Sequence, residues 1–228
     1  MTALRTAQAQ QIERLVAAFL LENSAINLSA IRDEAGVREK HVADSLAARA
    51  LLHSLQLEEG RKALDIGSGS GFPLLPLAIA FAGCKWHGLD SVGKKLAAIE
   101  RMAGECGISD LVLHHARAEE AGHLPELREQ FALVTARAVA PWPVLVELAT
   151  PFVSVGGYFL AYRGPENDTD DIPLAAKLNL KFVQKQAYTL ATGEQRTLWL
   201  FCKTALLPKR FPRAVGIPKK QPLALADF

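Results

Sequence analysis

Residues 63–73, Ala-Leu-Asp-Ile-Gly-Ser-Gly-Ser-Gly-Phe-Pro, decide the fold. An apolar run carries Asp65, three glycines alternate at Gly67, Gly69 and Gly71, and Pro73 opens a helical stretch. The pattern predicts a strand that enters a glycine turn and feeds a helix N-terminus. A ligand there can lie against bare backbone and meet free N–H groups. A dinucleotide fingerprint spaces its glycines G-x-G-x-x-G and carries its acid about 20 residues later. Here Phe72 stands at the third glycine's place and Asp65 precedes the turn. An acid in that position repels phosphate and suits a cationic ligand with an amino group. S-adenosylmethionine, with an ammonium and a sulfonium, fits that description. A tight structural turn is the alternative use of the same glycines.

From Lys62 onward, apolar runs alternate with helical patterns. Strands are predicted at 62–66, 84–90, 110–114, 131–136, 156–162, 180–188 and 196–203, and helices at 71–82, 92–106, 118–122, 142–153 and 167–177. Such alternation implies a parallel sheet covered by helices on both faces. Thr192-Gly193-Glu194 is too short for a crossover and predicts a closing antiparallel hairpin. The outline is α/β: a Rossmann-like, mostly parallel seven-stranded sheet with a terminal hairpin, as in class I S-adenosylmethionine-dependent methyltransferases. Ahead of it, Ile12, Leu15, Val16, Phe19 and Leu20 recur at helical spacing, and a second helical stretch runs over 37–55. About 60 residues of helix need another surface to cover their apolar faces. The organisation expected is therefore a helical extension (1–60) packed on a methyltransferase core (61–205), followed by a basic, proline-rich tail (206–228).

Half of the 228 residues are apolar and 22% are charged, as in soluble globular proteins. No apolar run approaches the roughly 20 residues of a membrane helix, and residues 15–21 lack the flanks of a signal peptide. A cytoplasmic protein, a monomer with no membrane partner, is expected. Cys84, Cys106 and Cys202 form no C-x-x-C pair, so neither a disulfide frame nor a metal site is indicated. The net charge of +2 is small, but Lys203, Lys209, Arg210, Arg213, Lys219 and Lys220 fall within one acid-free stretch broken by prolines. Such a stretch is either solvated or in contact with nucleic-acid phosphates.

Ligands of open α/β sheets bind beyond the carboxyl ends of the strands, where strand order reverses. Strand one ends at Asp65 and the glycine turn. Strand two ends at Asp90, placed either to accept ribose hydroxyls or to cap the next helix. Ala118 and Glu119 follow strand three, where an adenine edge would meet a backbone N–H and an acid; a glutamate in a first helical turn also suits the helix dipole. Strand four ends at Arg137, a permanent cation that either borders the reacting substrate or pairs with Glu119 or Glu120. There is no Asn-Pro-Pro-Tyr-like run, no Pro-Cys dipeptide, and no histidine at a strand end beside a base partner. A substrate that must lose a proton needs a general base; a ring nitrogen with a free lone pair, such as guanine N7, needs only positioning.

These segments together resemble the RsmG (GidB) family, which methylates guanine N7 in the decoding-region loop of 16S rRNA. Asn27-Leu28-Ser29-Ala30-Ile31 resembles its Asn-Leu-Thr-x-Ile, and Lys40-His41-Val42-Ala43-Asp44-Ser45-Leu46 its Lys/Arg-His-Ile-x-Asp-Ser-Leu. The turn with Pro73, Leu89-Asp90-Ser91, Arg137-Ala138 and Arg213-Ala214-Val215-Gly216-Ile217-Pro218 match further family segments. Ala136, Ala132 and Arg163 depart from the family's usual serine, aspartate and lysine. The resemblance implies cofactor contacts at Gly67, Phe72, Ala118, Glu119 and Arg137, with Asp90 on the ribose. It further implies an RNA-facing side at His41, Asp44, Arg163, Arg210, Arg213, Lys219 and Lys220, and 16S rRNA or a small-subunit precursor as partner. A small-molecule methyltransferase and a non-enzymatic RNA-binding assembly factor are the alternative readings.

Overall fold

The computed structural model describes residues 4–56, 59–164 and 171–228. Seven strands, β1 (Lys62–Ile66), β2 (Lys85–Asp90), β3 (Leu111–His115), β4 (Phe131–Arg137), β5 (Val153–Arg163), β6 (Leu180–Thr189) and β7 (Gln195–Lys203), form one sheet in the order β3-β2-β1-β4-β5-β7-β6. The first five run parallel, while β7 is antiparallel to both β5 and β6. This is the expected outline, with strand ends displaced by a residue or so except at β5, which begins three residues early. The predicted helix at 167–177 is seen over Asp171–Lys177 and otherwise lies outside the described residues.

Helix α1 (Thr6–Ile26) buries Ile12, Leu15, Val16 and Phe19 along one stripe. It ends at Asn27, whose left-handed backbone (φ 52°) asparagine tolerates. The stripe packs on α5 (Leu74–Ala80) and α6 (Gly93–Cys106), so the N-terminal helices share a core with one face of the sheet. Gln8 Nε2 joins them further by donating to the carbonyls of Ile79 and Ala80 (3.0 and 3.2 Å) at the open end of α5.

The second predicted helix, 37–55, is broken. Short α-helical pieces α2 (Glu34–Val37), α3 (Asp44–Leu46) and α4 (Arg49–Ser54) flank a wide π-helical turn, Arg38–Ala43. Such widened turns aim side chains that a regular helix would place elsewhere; here the side chain is that of His41.

The opposite face is covered by helices at Ala118–Ala121, Trp142–Ala149 and Asp171–Lys177, and by the C-terminal segment. That segment is a strap rather than a solvated tail. Leu207, Phe211 and Leu223 are buried in the core, and Arg128 donates to the carbonyls of Leu207 and Phe211 (2.9 and 2.8 Å). The strap lies so close to Gly122 that a Cβ there would come 2.9 Å from Pro212. Lys203, counted among the basic stretch, is fully buried and ion-paired to Glu129 at 2.7 Å.

Candidate active site

A cleft of about 710 Å³ opens at the carboxyl ends of β1 to β4, where strand order reverses between β1 and β4. Its size suits a nucleoside-bearing ligand. Gly67 and Gly69, with φ of +65° and +49°, form its floor. A Cβ on Gly67 would stand 2.7 Å from Val139 on the opposite wall. Gly71 is placed differently from the expectation. It lies outside the cleft lining, donates to the Ser68 carbonyl (2.7 Å) and accepts from Leu75 N (2.8 Å), so it shapes the turn from behind.

Asp65 also lies behind the turn. It is 1% exposed, does not line the cleft, and accepts from Thr135 Oγ1 at 2.7 Å through one oxygen while the other has no partner. The register of β1 against β4 sets Asp65 beside Thr135 and turns the carboxylate into the protein, so a direct ion pair with a ligand in the cleft is closed to it. Burial pushes its pKa up to about 7 despite the hydrogen bond from Thr135, while the Ser68 hydroxyl donates to the Asp65 backbone carbonyl at 2.9 Å.

Asp90 does line the cleft. Its Oδ2 accepts from Gly69 N (2.8 Å) and its Oδ1 from Val92 N (2.9 Å), which ties the glycine turn to the loop entering α6. The cap position of α6 is Val92, so Asp90 is not its capping residue. Each carboxylate oxygen keeps a second lone pair. Ala118 and Glu119 line the cleft beyond β3, and Glu119 Oε1 accepts from Gly216 N of the strap (3.1 Å).

Arg137 ends β4 with its side chain only 13% exposed. Its partner is neither Glu119 nor Glu120 but Asp44, at 2.7 Å, from the N-terminal helices. The second oxygen of Asp44 accepts from Tyr188 Oη (2.6 Å). The guanidinium also donates to His41 Nδ1 (3.2 Å). His41 stacks on Phe72, centroid to centroid 4.8 Å, and its Nε2 meets Ser29 Oγ at 3.0 Å. Burial first, then the charge of Arg137, lowers the His41 pKa to about 4. His41 is thus a neutral ring in the cleft wall.

Two residues expected to face RNA are committed to partners within the protein, Arg163 buried and Arg213 half-buried. Arg163 lies between Trp142 and Trp199, 4.6 Å from each ring, and pairs with half-buried Asp171 at 2.7 Å. Arg213 is bound to the fully buried Glu147 at 2.7 Å and donates to the Gln221 carbonyl. Arg210, Lys219 and Lys220 are exposed, and Lys219 reaches the cleft rim.

The family model described as GidB, rRNA small subunit methyltransferase G, matches residues 8–199. The chain belongs to the GidB family. Among its relatives is the ribosomal RNA small subunit methyltransferase G of Deinococcus radiodurans, 38% identical over 94% of this chain and 85% of that protein. The enzyme of the same name from Lactobacillus delbrueckii subsp. bulgaricus is also 38% identical, over 96% and 93%. Two solved methyltransferases share the fold with little sequence in common. A 16S rRNA (adenine(1408)-N(1))-methyltransferase mutant with cosubstrate SAM, from Catenulisporales acidiphilia, has a TM-score of 0.54 and 13% identity, covering 70% of this chain and 92% of that one. A geranyl diphosphate methyltransferase in complex with SAM also has a TM-score of 0.54, with 15% identity, covering 70% and 85%. The two are named for unlike substrates, so the likeness speaks to the fold alone.

In this GidB-family chain the groups that sequence reasoning missed are the partners. Thr135, Glu147 and Tyr188 carry no motif, and each meets its carboxylate or cation across 66 to 144 residues of chain.

Proposed function

We propose that this chain transfers a methyl group from S-adenosylmethionine to N7 of a guanine in the decoding-region loop of 16S rRNA. It would act as a cytoplasmic monomer, on rRNA or on a small-subunit precursor. Membership of a family described as rRNA small subunit methyltransferase G supports the reaction and the RNA. Residues 1–60 and 206–228 would then flank the 61–205 core as its RNA-facing parts.

The cleft suits the cofactor. Gly67 and Gly69 offer bare backbone, and Phe72 walls the floor. The spare lone pairs of Asp90 would accept from ribose hydroxyls, while Ala118 N–H and the remaining oxygen of Glu119 would take the adenine edge. When bound, S-adenosylmethionine supplies a methyl group made electrophilic by its sulfonium.

The observation that carries N7 is the engagement of every titratable group around Arg137. Both ring nitrogens of His41 are occupied, and Asp44 spends its oxygens on Arg137 and Tyr188. His41 has no unoccupied ring nitrogen, and Asp44 does not line the cleft, so neither meets a substrate there as a base. A guanine N7 loses none, so alignment alone suffices. Asp44 also cancels the Arg137 charge that would otherwise oppose the cation formed on the base.

The test offers small subunits from cells lacking the protein, with methyl-labelled cofactor, and maps the labelled nucleotide. Label at guanine N7 of 16S rRNA is expected; label only on metabolites or protein would overturn the reading.

A further inference from the structure

Ser29 lies in the segment between α1 and the next helical turn, on the cleft rim beside His41. Its backbone is pinned by Asn23, which accepts from Ser29 N and donates to the Ile31 carbonyl, both at 2.8 Å. The Ser29 hydroxyl oxygen receives Ile31 N at 3.1 Å and meets His41 Nε2 at 3.0 Å. The direction of the second bond is fixed by the far side of the ring. Arg137 Nη2 can only donate, so His41 Nδ1 must accept. The single hydrogen of the neutral ring therefore sits on Nε2 and points at Ser29 Oγ.

A serine hydroxyl has two acceptor lone pairs and one hydrogen. Here both lone pairs are taken, and no acceptor among the described residues receives the hydrogen. Arg137 and His41 thereby make Ser29 an obligate donor at the mouth of the cleft.

We infer that the Ser29 hydroxyl donates to O6 of the guanine presented for methylation and so separates guanine from adenine. The inference rests on the guanine-N7 reading of the site. On that base edge N7 must keep its lone pair free as nucleophile, which leaves O6 as the acceptor beside it; adenine presents an N6 amino donor at the same place. Two donors facing one another would leave both unpaired.

The test crosses the protein atom with the substrate atom. Wild type, Ser29→Ala and Ser29→Thr are assayed on reconstituted small subunits whose target nucleotide is guanine or 2-aminopurine, which keeps N7 and lacks O6. Cofactor affinity is measured separately by calorimetry. For wild type, kcat/KM is expected to fall roughly 5- to 10-fold without O6, the size of one neutral hydrogen bond. Ser29→Ala should lose as much on guanine and nothing further on 2-aminopurine, with cofactor affinity unchanged. Ser29→Thr should behave as wild type.

An O6 effect of equal size in wild type and Ser29→Ala would overturn the inference, since a purely structural serine leaves that effect intact. Weakened cofactor binding in Ser29→Ala would overturn it too, by assigning the hydroxyl to the cofactor. Should Ser29→Ala fail to fold, a wild type indifferent to O6 is still decisive. Absence of any transfer to guanine N7 by wild type is a different result, and it removes the functional reading itself.

Discussion

The Arg137 guanidinium, at the end of β4, is held 2.7 Å from the Asp44 carboxylate, with both side chains nearly out of water at 13% and 7% exposure. One salt bridge thus locks the N-terminal helices to the rim of the cleft. Breaking a pair this buried leaves a charge uncompensated, which costs about 3–5 kcal/mol. Asp44→Ala should lower the unfolding free energy by that order in urea titrations and reduce kcat while the protein stays folded. A variant as stable as wild type would show that solvent reaches Arg137 unaided.

Asp90 holds two loops through backbone N–H groups and still has lone pairs to offer. Asp90→Ala should raise the cofactor Kd by about 10- to 100-fold, as expected for losing two or so hydrogen bonds to a ligand. Calorimetry decides this, and unchanged affinity would reduce Asp90 to a tie between the glycine turn and α6.

Asp65 should make stability depend on pH in an unusual direction. Its carboxyl titrates near 7 in the folded protein against an ordinary value of 3.8, so the native state holds a proton that the unfolded chain has released. Its contribution is fully present below about pH 4 and is lost as pH rises toward 7, by about 4 kcal/mol at most. Asp65→Asn keeps an acceptor for Thr135 without the buried charge. It should exceed wild type in stability at pH 8, with the gap closing by pH 4–5; parallel curves would reject the assignment.

The basic residues of the strap should divide into two classes. Removing Arg213 strands the fully buried Glu147, so Arg213→Ala should cost about 3 kcal/mol of stability. The exposed Lys219 and Lys220 should leave stability alone. Their double alanine variant should weaken RNA binding and flatten its dependence on salt, since fewer counterions are released. Filter binding across a salt series, paired with thermal melts, separates the two outcomes.

Much of this architecture was legible in advance because strands buried on both faces write themselves as apolar runs that stop at turns. Asp65, Asp90 and Arg137 all stand at strand ends, as the reversal of strand order requires. The roles of charged residues were less legible. Arg163 and Arg213 read as RNA contacts, yet Trp142, Trp199 and Glu147, which engage them, are distant in sequence or silent in pattern. The neutral state of His41 was not legible, because it depends on Arg137, 96 residues later, and on a widened helical turn that no local periodicity announces. Partners separated by that much chain are set by the sheet's topology, which periodicity implies only in outline.

Both flanks of the chain meet at one opening: Ser29 and His41 from one side, the Glu119–Gly216 bond and Lys219 from the other. During synthesis the strap follows directly on β7, which ends at Lys203, and domains fold as units once enough chain is available. The rim near Glu119 therefore stays unfinished until residues beyond 216 have left the ribosome. The rim is thus the part of the site that chain order completes last.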